Sequence, residues 1–164
     1  MPLKTIENEN ILSEFQNVWE ISVDKNSIFS QDDVINAYLK GKEIGIKENI
    51  FLDKLNENIE KSAKFTKSML TFLKNNNFNP ISAHLKINAF DDFIILITVP
   101  EDELIKEEFL ITYNFSANIE NQVIDDKYFN LMFMFSDREK HTFNKELLVS
   151  DGFFMDYNIK KADV

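Results

Sequence analysis

From residue 52 onward, apolar side chains recur at Leu52, Leu55, Ile59, Ala63, Met69 or Leu70, and Leu73, with Phe51, Phe65 and Phe72 beside them. Intervals of three and four predict an amphipathic helix. Its face is wider than a coiled-coil seam, so it has to be buried against a sheet or several partners. The start signal lies well upstream. Ser30 stands at an N-cap position, Asp33 can reach back to it in a capping-box manner, and Phe29 and Val34 hold the two places of a hydrophobic staple. Asp32 and Asp33 at one end, and Lys61, Lys64, Lys67 and Lys74 at the other, both suit the helix dipole. Asn75-Asn76-Asn77 tolerates left-handed backbone and Pro80 prevents resumption, so the predicted helix covers residues 30–75. Unbroken, it would be about 67 Å long, against a radius of gyration of about 15 Å for a compact chain of this size. Gly41 and Gly45 lie inside it, each costing roughly 1 kcal/mol relative to Ala. They mark either a break near 41–45 or a close contact on a small-residue face.

Before this helix, residues 1–28 open with a polar tail. Ile11, Leu12, Phe15, Val18 and Trp19 then follow at helical spacing, which predicts a short amphipathic helix docked on the core or offered to a partner. Asp24-Lys25-Asn26 begins like a calcium loop, but Ile28 stands where an oxygen ligand is needed and Phe29 where the turn needs Gly. That match fails.

After the long helix the period changes to two. Ile81, Ala83, Leu85 and Ile87 alternate with Ser82, His84, Lys86 and Asn88, a half-buried strand. Asp91-Asp92 turns the chain into the apolar run from Phe93 to Val99, which suits a central strand. Pro100 followed by Glu101, Asp102 and Glu103 opens a helix predicted to run to about Asn121, although Phe109, Ile111, Tyr113 and Phe115 also alternate as a strand would. Phe129, Leu131, Phe133 and Phe135 predict a third strand. Asn144 caps a short helix through Val149, and Asp151-Gly152 leads into a last strand over 153–159, or alternatively turns a hairpin.

The pattern predicts a single α+β domain over 1–164, a two-layer sandwich. A four-stranded, mostly antiparallel sheet in the order β-β-α-β-(α)-β, occupying residues 81–160, is covered by the long helix. The second and third strands, joined through a helix, are expected to be parallel neighbours or near neighbours with a right-handed crossover.

Composition narrows the functional classes. Sixteen phenylalanines predict an aromatic core, and the absence of cysteine excludes disulfides and thiolate metal sites. The first residues carry acids and asparagines instead of an apolar signal region, so a cytoplasmic setting is the expectation. The net charge is −10, and residues 81–126 hold ten acids against two bases. A basic nucleic-acid footprint is absent and acidic DNA mimicry is disfavoured by the interspersed apolar residues.

Candidate chemistry is sparse. His84 falls on the polar face of the first strand, where an imidazole could act as base or ligand, and His141 lies in a charged loop. Neither has a partner at ligand spacing, so no metal or cofactor site is expected. The pairs Asp91/Asp92 and Asp125/Asp126 could converge on a divalent cation, but both sit at predicted turns, which favour Asp for backbone reasons. No phosphate-binding Gly-rich loop or nucleophile elbow occurs. Lys61, Lys64 and Lys67 form a lysine stripe on one side of the helix, and the stretch from Asp91 to Glu108 carries acids, which suggests electrostatic matching between subunits or with a basic partner. Two functions follow as expectations. The first is an interaction or structural module, homo-oligomeric through the long helix; the second is an enzyme with a dispersed site built on His84, Asp91 and Asp92, possible with a divalent metal.

Overall fold

The computed structural model describes residues 19–21, 49–138 and 143–162. Within them the chain is an α+β fold with one mixed sheet. In order it forms β1 (Trp19–Ile21), α1 (Asn49–Asn75), β2 (Ser82–Ala89), β3 (Asp92–Val99), α2 (Glu101–Leu104), a 3-10 turn (Glu107–Phe109), α3 (Leu110–Val123), β4 (Asn130–Asp137), α4 (Lys145–Ser150), β5 (Phe153–Tyr157) and α5 (Ile159–Ala162). The strand order is β1-β5-β2-β3-β4. The four strands expected from the period-two pattern are therefore adjacent, and three-residue β1 adds one edge. Every pairing is antiparallel except β3 with β4, which are parallel neighbours joined through the helical segment.

The long helix is present as α1, and its buried side is the predicted seam with three polar members inserted. Leu55, Ile59, Met69, Leu70 and Leu73 are buried together with Asn58, Ser62 and Thr66. The two hydroxyls are satisfied within the helix, Ser62 Oγ donating to the Ile59 carbonyl at 2.6 Å and Thr66 Oγ1 to the Ser62 carbonyl at 2.7 Å. Such back-bonding lets a polar residue occupy a core position without an unpaired donor. The helix ends at the asparagine run as expected. Asn77 takes φ 62°, Asn77 N donates to the Lys74 carbonyl and Phe78 N to the Leu73 carbonyl, which is the Schellman arrangement. Ser30, Gly41 and Gly45, and with them the start and proposed break of the helix, lie outside the described residues.

Two sequence expectations change. The apolar group over 11–19 is outside the described residues except for Trp19, which is strand and not helix. Its ring is buried edge-on against Tyr157 at 5.2 Å, its partner in the β1–β5 register; that tertiary contact outweighs the helical spacing. The hairpin alternative at Asp151-Gly152 is also excluded, because β5 pairs with β2 and β1. Asn144 instead caps α4 through Oδ1, which accepts from Leu147 N. Gly152 takes φ +98°, a backbone that side chains disfavour.

The helical reading of residues 101–121 holds, with one interruption: α2 stops at Leu104 and the chain restarts at the 3-10 turn. Buried Glu103 fixes this corner by accepting from the backbone N and side-chain Nδ2 of Asn79. Aromatic pairs join the layers. Phe72 of α1 stacks on Phe115 of α3 at 4.0 Å, and Phe109 meets Phe78 and Phe135 edge-on. Burial of each such side chain contributes about 1.5–3 kcal/mol.

The sheet thus has two unlike faces. Ala83, Leu85, Ile87, Phe93, Ile95, Ile97, Val99, Leu131 and Phe133 belong to the core shared with α1 and α3. Alternation sends Ser82, His84, Lys86, Thr98 and Asp156 to the other face, and the functional candidates collect there.

A histidine cleft as the candidate functional site

His84 is buried, with 4% of its surface exposed, although its place on a polar strand face suggested solvent. Burial of an imidazole requires partners, and cross-strand register supplies them. Asp156 of β5 is directly opposite His84, and Thr98 of β3 directly opposite Ser82. Ser82 itself is two residues from His84 and so shares its face.

The result is one hydrogen-bond chain across three strands. His84 Nδ1 lies 2.7 Å from Asp156 Oδ1, His84 Nε2 lies 2.8 Å from Ser82 Oγ, and Ser82 Oγ lies 2.5 Å from Thr98 Oγ1. Lys145 of α4 closes the far end, its Nζ 3.0 Å from Asp156 Oδ2. The proton directions follow from the groups. An ionised carboxylate only accepts, so Nδ1 carries a proton. In the neutral ring Nε2 is then an acceptor, Ser82 donates its hydroxyl proton to it, and Thr98 donates to Ser82.

A bulge helps to present Asp156. The β2–β5 register passes from Leu85↔Met155 to Lys86↔Phe153, so that β5 advances two residues where β2 advances one. Bulges re-aim side chains in this way. Phe154 is in the core, and Lys86 Nζ lies 5.8 Å from the centre of the Phe153 ring.

The chain borders a cleft of about 340 Å³ whose lining includes Ser82, His84, Arg138, Phe143, Lys145, Asp156 and Lys160. Phe143 lies nearly parallel to the imidazole at 5.9 Å, and the Arg138 guanidinium covers the other aromatic partner of that stack, 3.7 Å from the Phe143 centroid. Among the described residues that line it, three cations against one carboxylate make the cleft electropositive in a chain of net charge −10. An anion entering it would meet complementary charge. Asp156 retains 27% of its side-chain exposure and Lys145 56%, so the chain of bonds ends at solvent.

The acidic sequence candidates are not brought to this cleft. Asp92 pairs with Ala89, five positions along β2 from His84, or about 16 Å at strand spacing. Asp92 there accepts from Asn88 Nδ2 and Asn130 Nδ2, and the Asp91 carbonyl accepts from Asn130 N, so this pair ties the ends of three strands together. Asp126 accepts from Tyr128 N through Oδ1 and from Lys61 through Oδ2, and Asp125 is exposed. The Tyr128 amide and then Lys61 hold the Asp126 carboxyl below its ordinary range. Among the described residues, no group of three or more His, Cys, Asp or Glu side chains is arranged to hold a metal ion. His141 lies outside them. Lys64 and Lys67 border a groove between α1 and α3, with Phe72 and Phe115 in its lining.

No profile of a known protein family, no curated protein and no solved structure matches this chain.

Proposed function

We propose that this protein binds a small anionic molecule in the His84 cleft and transfers a proton to or from it, with His84 as the acid–base group. The observation that carries this reading is the continuous chain Lys145–Asp156–His84–Ser82–Thr98 at the wall of an electropositive cleft. Both imidazole nitrogens are held, which fixes the ring's orientation and tautomer, and proton transfer depends on both. Asp91 and Asp92 have no part in it, and no metal is required.

Thermal unfolding in the presence of phosphate, phosphate monoesters and short carboxylates tests the reading. A ligand at a hundred times its dissociation constant stabilises by about 2.7 kcal/mol, or about 5–10 °C for a chain of this size. The rise is expected in the native protein and is expected to vanish in the Arg138→Ala, Lys145→Ala double variant. Equal rises in both proteins, or none from any anion, would exclude the cleft as an anion site.

A second reading, a homo-oligomeric interaction module, is favoured by one observation. Ile105, Leu110, Ile111 and Tyr113 are exposed beside the acids of α2 and the 3-10 turn, while Lys64 and Lys67 border the α1–α3 groove. Solution mass by light scattering separates the two readings. A dimer that dissociates as salt is raised supports the module, and a salt-independent monomer removes it. No helix among the described residues is long and apolar enough to cross a membrane.

A further inference from the structure

Resting on the anion-site reading, we infer that Ser82 is a covalent nucleophile and that the substrates are small esters whose acyl part carries a carboxylate or phosphate group. The geometry that singles out Ser82 is its double engagement: Oγ lies 2.8 Å from the imidazole nitrogen that accepts, and 2.5 Å from a threonine hydroxyl that donates. A serine hydroxyl is a weak nucleophile until an adjacent base takes its proton, and the base must itself be oriented by a third group. Here Asp156 orients His84 from the opposite nitrogen. Nucleophile, base and orienting carboxylate thus stand in the order that acyl transfer needs, on a rigid sheet.

Asp92 of β3 and Lys61 of α1 lack this arrangement. Asp92 is occupied by two asparagine amides, and Lys61 by Asp126 and Glu57. Neither borders the cleft.

The chemistry balances without an oxidant or metal. Ser82 Oγ bonds to the ester carbonyl carbon as its proton passes to His84 Nε2. The carbonyl oxygen becomes an oxyanion, which the cations of the cleft offset. When the bond to the alcohol oxygen breaks, that oxygen takes the proton from Nε2, leaving an acyl-serine. Water then attacks the acyl carbon and gives a proton to Nε2; Ser82 Oγ recovers it as the acid departs. Arg138, Lys145 and Lys160 select acyl groups that carry negative charge. Ser82 and His84 are catalytic residues in this scheme, whereas Asp156 and Thr98 are positioning residues.

The test uses the whole chain and a fluorophosphonate probe, which labels activated serines, read by intact mass and peptide mapping. One adduct per chain is expected, on Ser82, at a rate followed as a function of pH. Ser82→Ala should abolish it, and His84→Gln should slow it at least ~100-fold. Asp156→Asn should slow it and displace the pH profile, which a merely structural aspartate would not do. Unchanged far-ultraviolet circular dichroism in each variant separates these losses from misfolding. No adduct on the native protein, an adduct elsewhere, or an equal rate in His84→Gln would overturn the inference. An anion-induced rise in melting temperature without labelling overturns the nucleophile alone, whereas absence of both also removes the anion site.

Discussion

Two buried polar side chains on opposite sides of the sheet are partnered in different ways, and of the Asn58 amide only the nitrogen is hydrogen-bonded. Asn58, fully buried on α1, donates through Nδ2 to two backbone carbonyls, Phe90 at 2.9 Å and Tyr128 at 2.7 Å. It clamps the β2–β3 turn and the turn before β4 to the helix. His84 is almost as buried, yet both its partners are side chains, and its chain ends at an open cleft. Bonds to the backbone fix architecture. Bonds to a hydroxyl and a carboxylate can be exchanged for bonds to a ligand, or can pass a proton along.

Removing each group should therefore have unequal effects on stability. Asn58→Ala removes both hydrogen bonds, each worth about 0.5–1.5 kcal/mol net, and opens a cavity in the core that adds to the loss. A loss of about 2–5 kcal/mol is expected, measured by urea unfolding with the slope unchanged. A loss under 1 kcal/mol would show that the turns are held by other contacts and that the clamp is dispensable.

His84→Leu is expected to cost less than about 1 kcal/mol in the same assay. After the change Ser82 and Thr98 still bond each other, and Asp156 still has Lys145 and solvent, so no group is stranded. Polar residues arranged for function are often neutral for stability or costly to it. If His84→Leu costs as much as Asn58→Ala, the cleft chain is scaffolding like the clamp, and the contrast between the two faces collapses.

Much of the fold was legible because period and punctuation agreed. The asparagine stop at 75–77, the alternation over 81–88 that becomes the strand Ser82–Ala89, the apolar run of 93–99 and the Asn144 cap all describe local physics, and all appear in the structure. Trp19 was misread because its burial against Tyr157 depends on a strand more than a hundred residues away. The candidate site was half legible. His84 was singled out, and Ser82 could have been, since strand alternation alone puts it on the same face. Asp156 could not, because the one-residue bulge and the β2–β5 register decide which β5 residue meets His84. The acid pairs were named for chemistry, and the turn positions that made them prominent are what assign them to strand ends.

The turn that Asn58 clamps is also held from outside, which gives the smallest and sharpest test. Lys61, one helical turn after Asn58, meets Asp126 at 3.1 Å and Glu57 at 3.4 Å. Asp126→Asn keeps an oxygen for the Tyr128 amide and removes only the ion pair. Partly exposed pairs contribute little, so a loss of about 0.5 kcal/mol near neutral pH is expected, smaller in high salt. The pH dependence fixes its origin. The Asp126 carboxyl titrates below its ordinary range in the folded state, through the Tyr128 amide first and Lys61 second, so its contribution is present above the unfolded aspartate's pKa and is lost as pH falls through the folded one. For Lys61, burial opposes the charge, but Asp126 and Glu57 raise its pKa overall, so its contribution is complete below the unfolded lysine's pKa and is lost as pH rises through the folded one. The stability gap between native protein and variant should therefore close at both acid and alkaline extremes. A gap that persists in acid would mean that Asp126 holds the turn through its backbone bond alone, and that charge on this side of the clamp has no part in the fold.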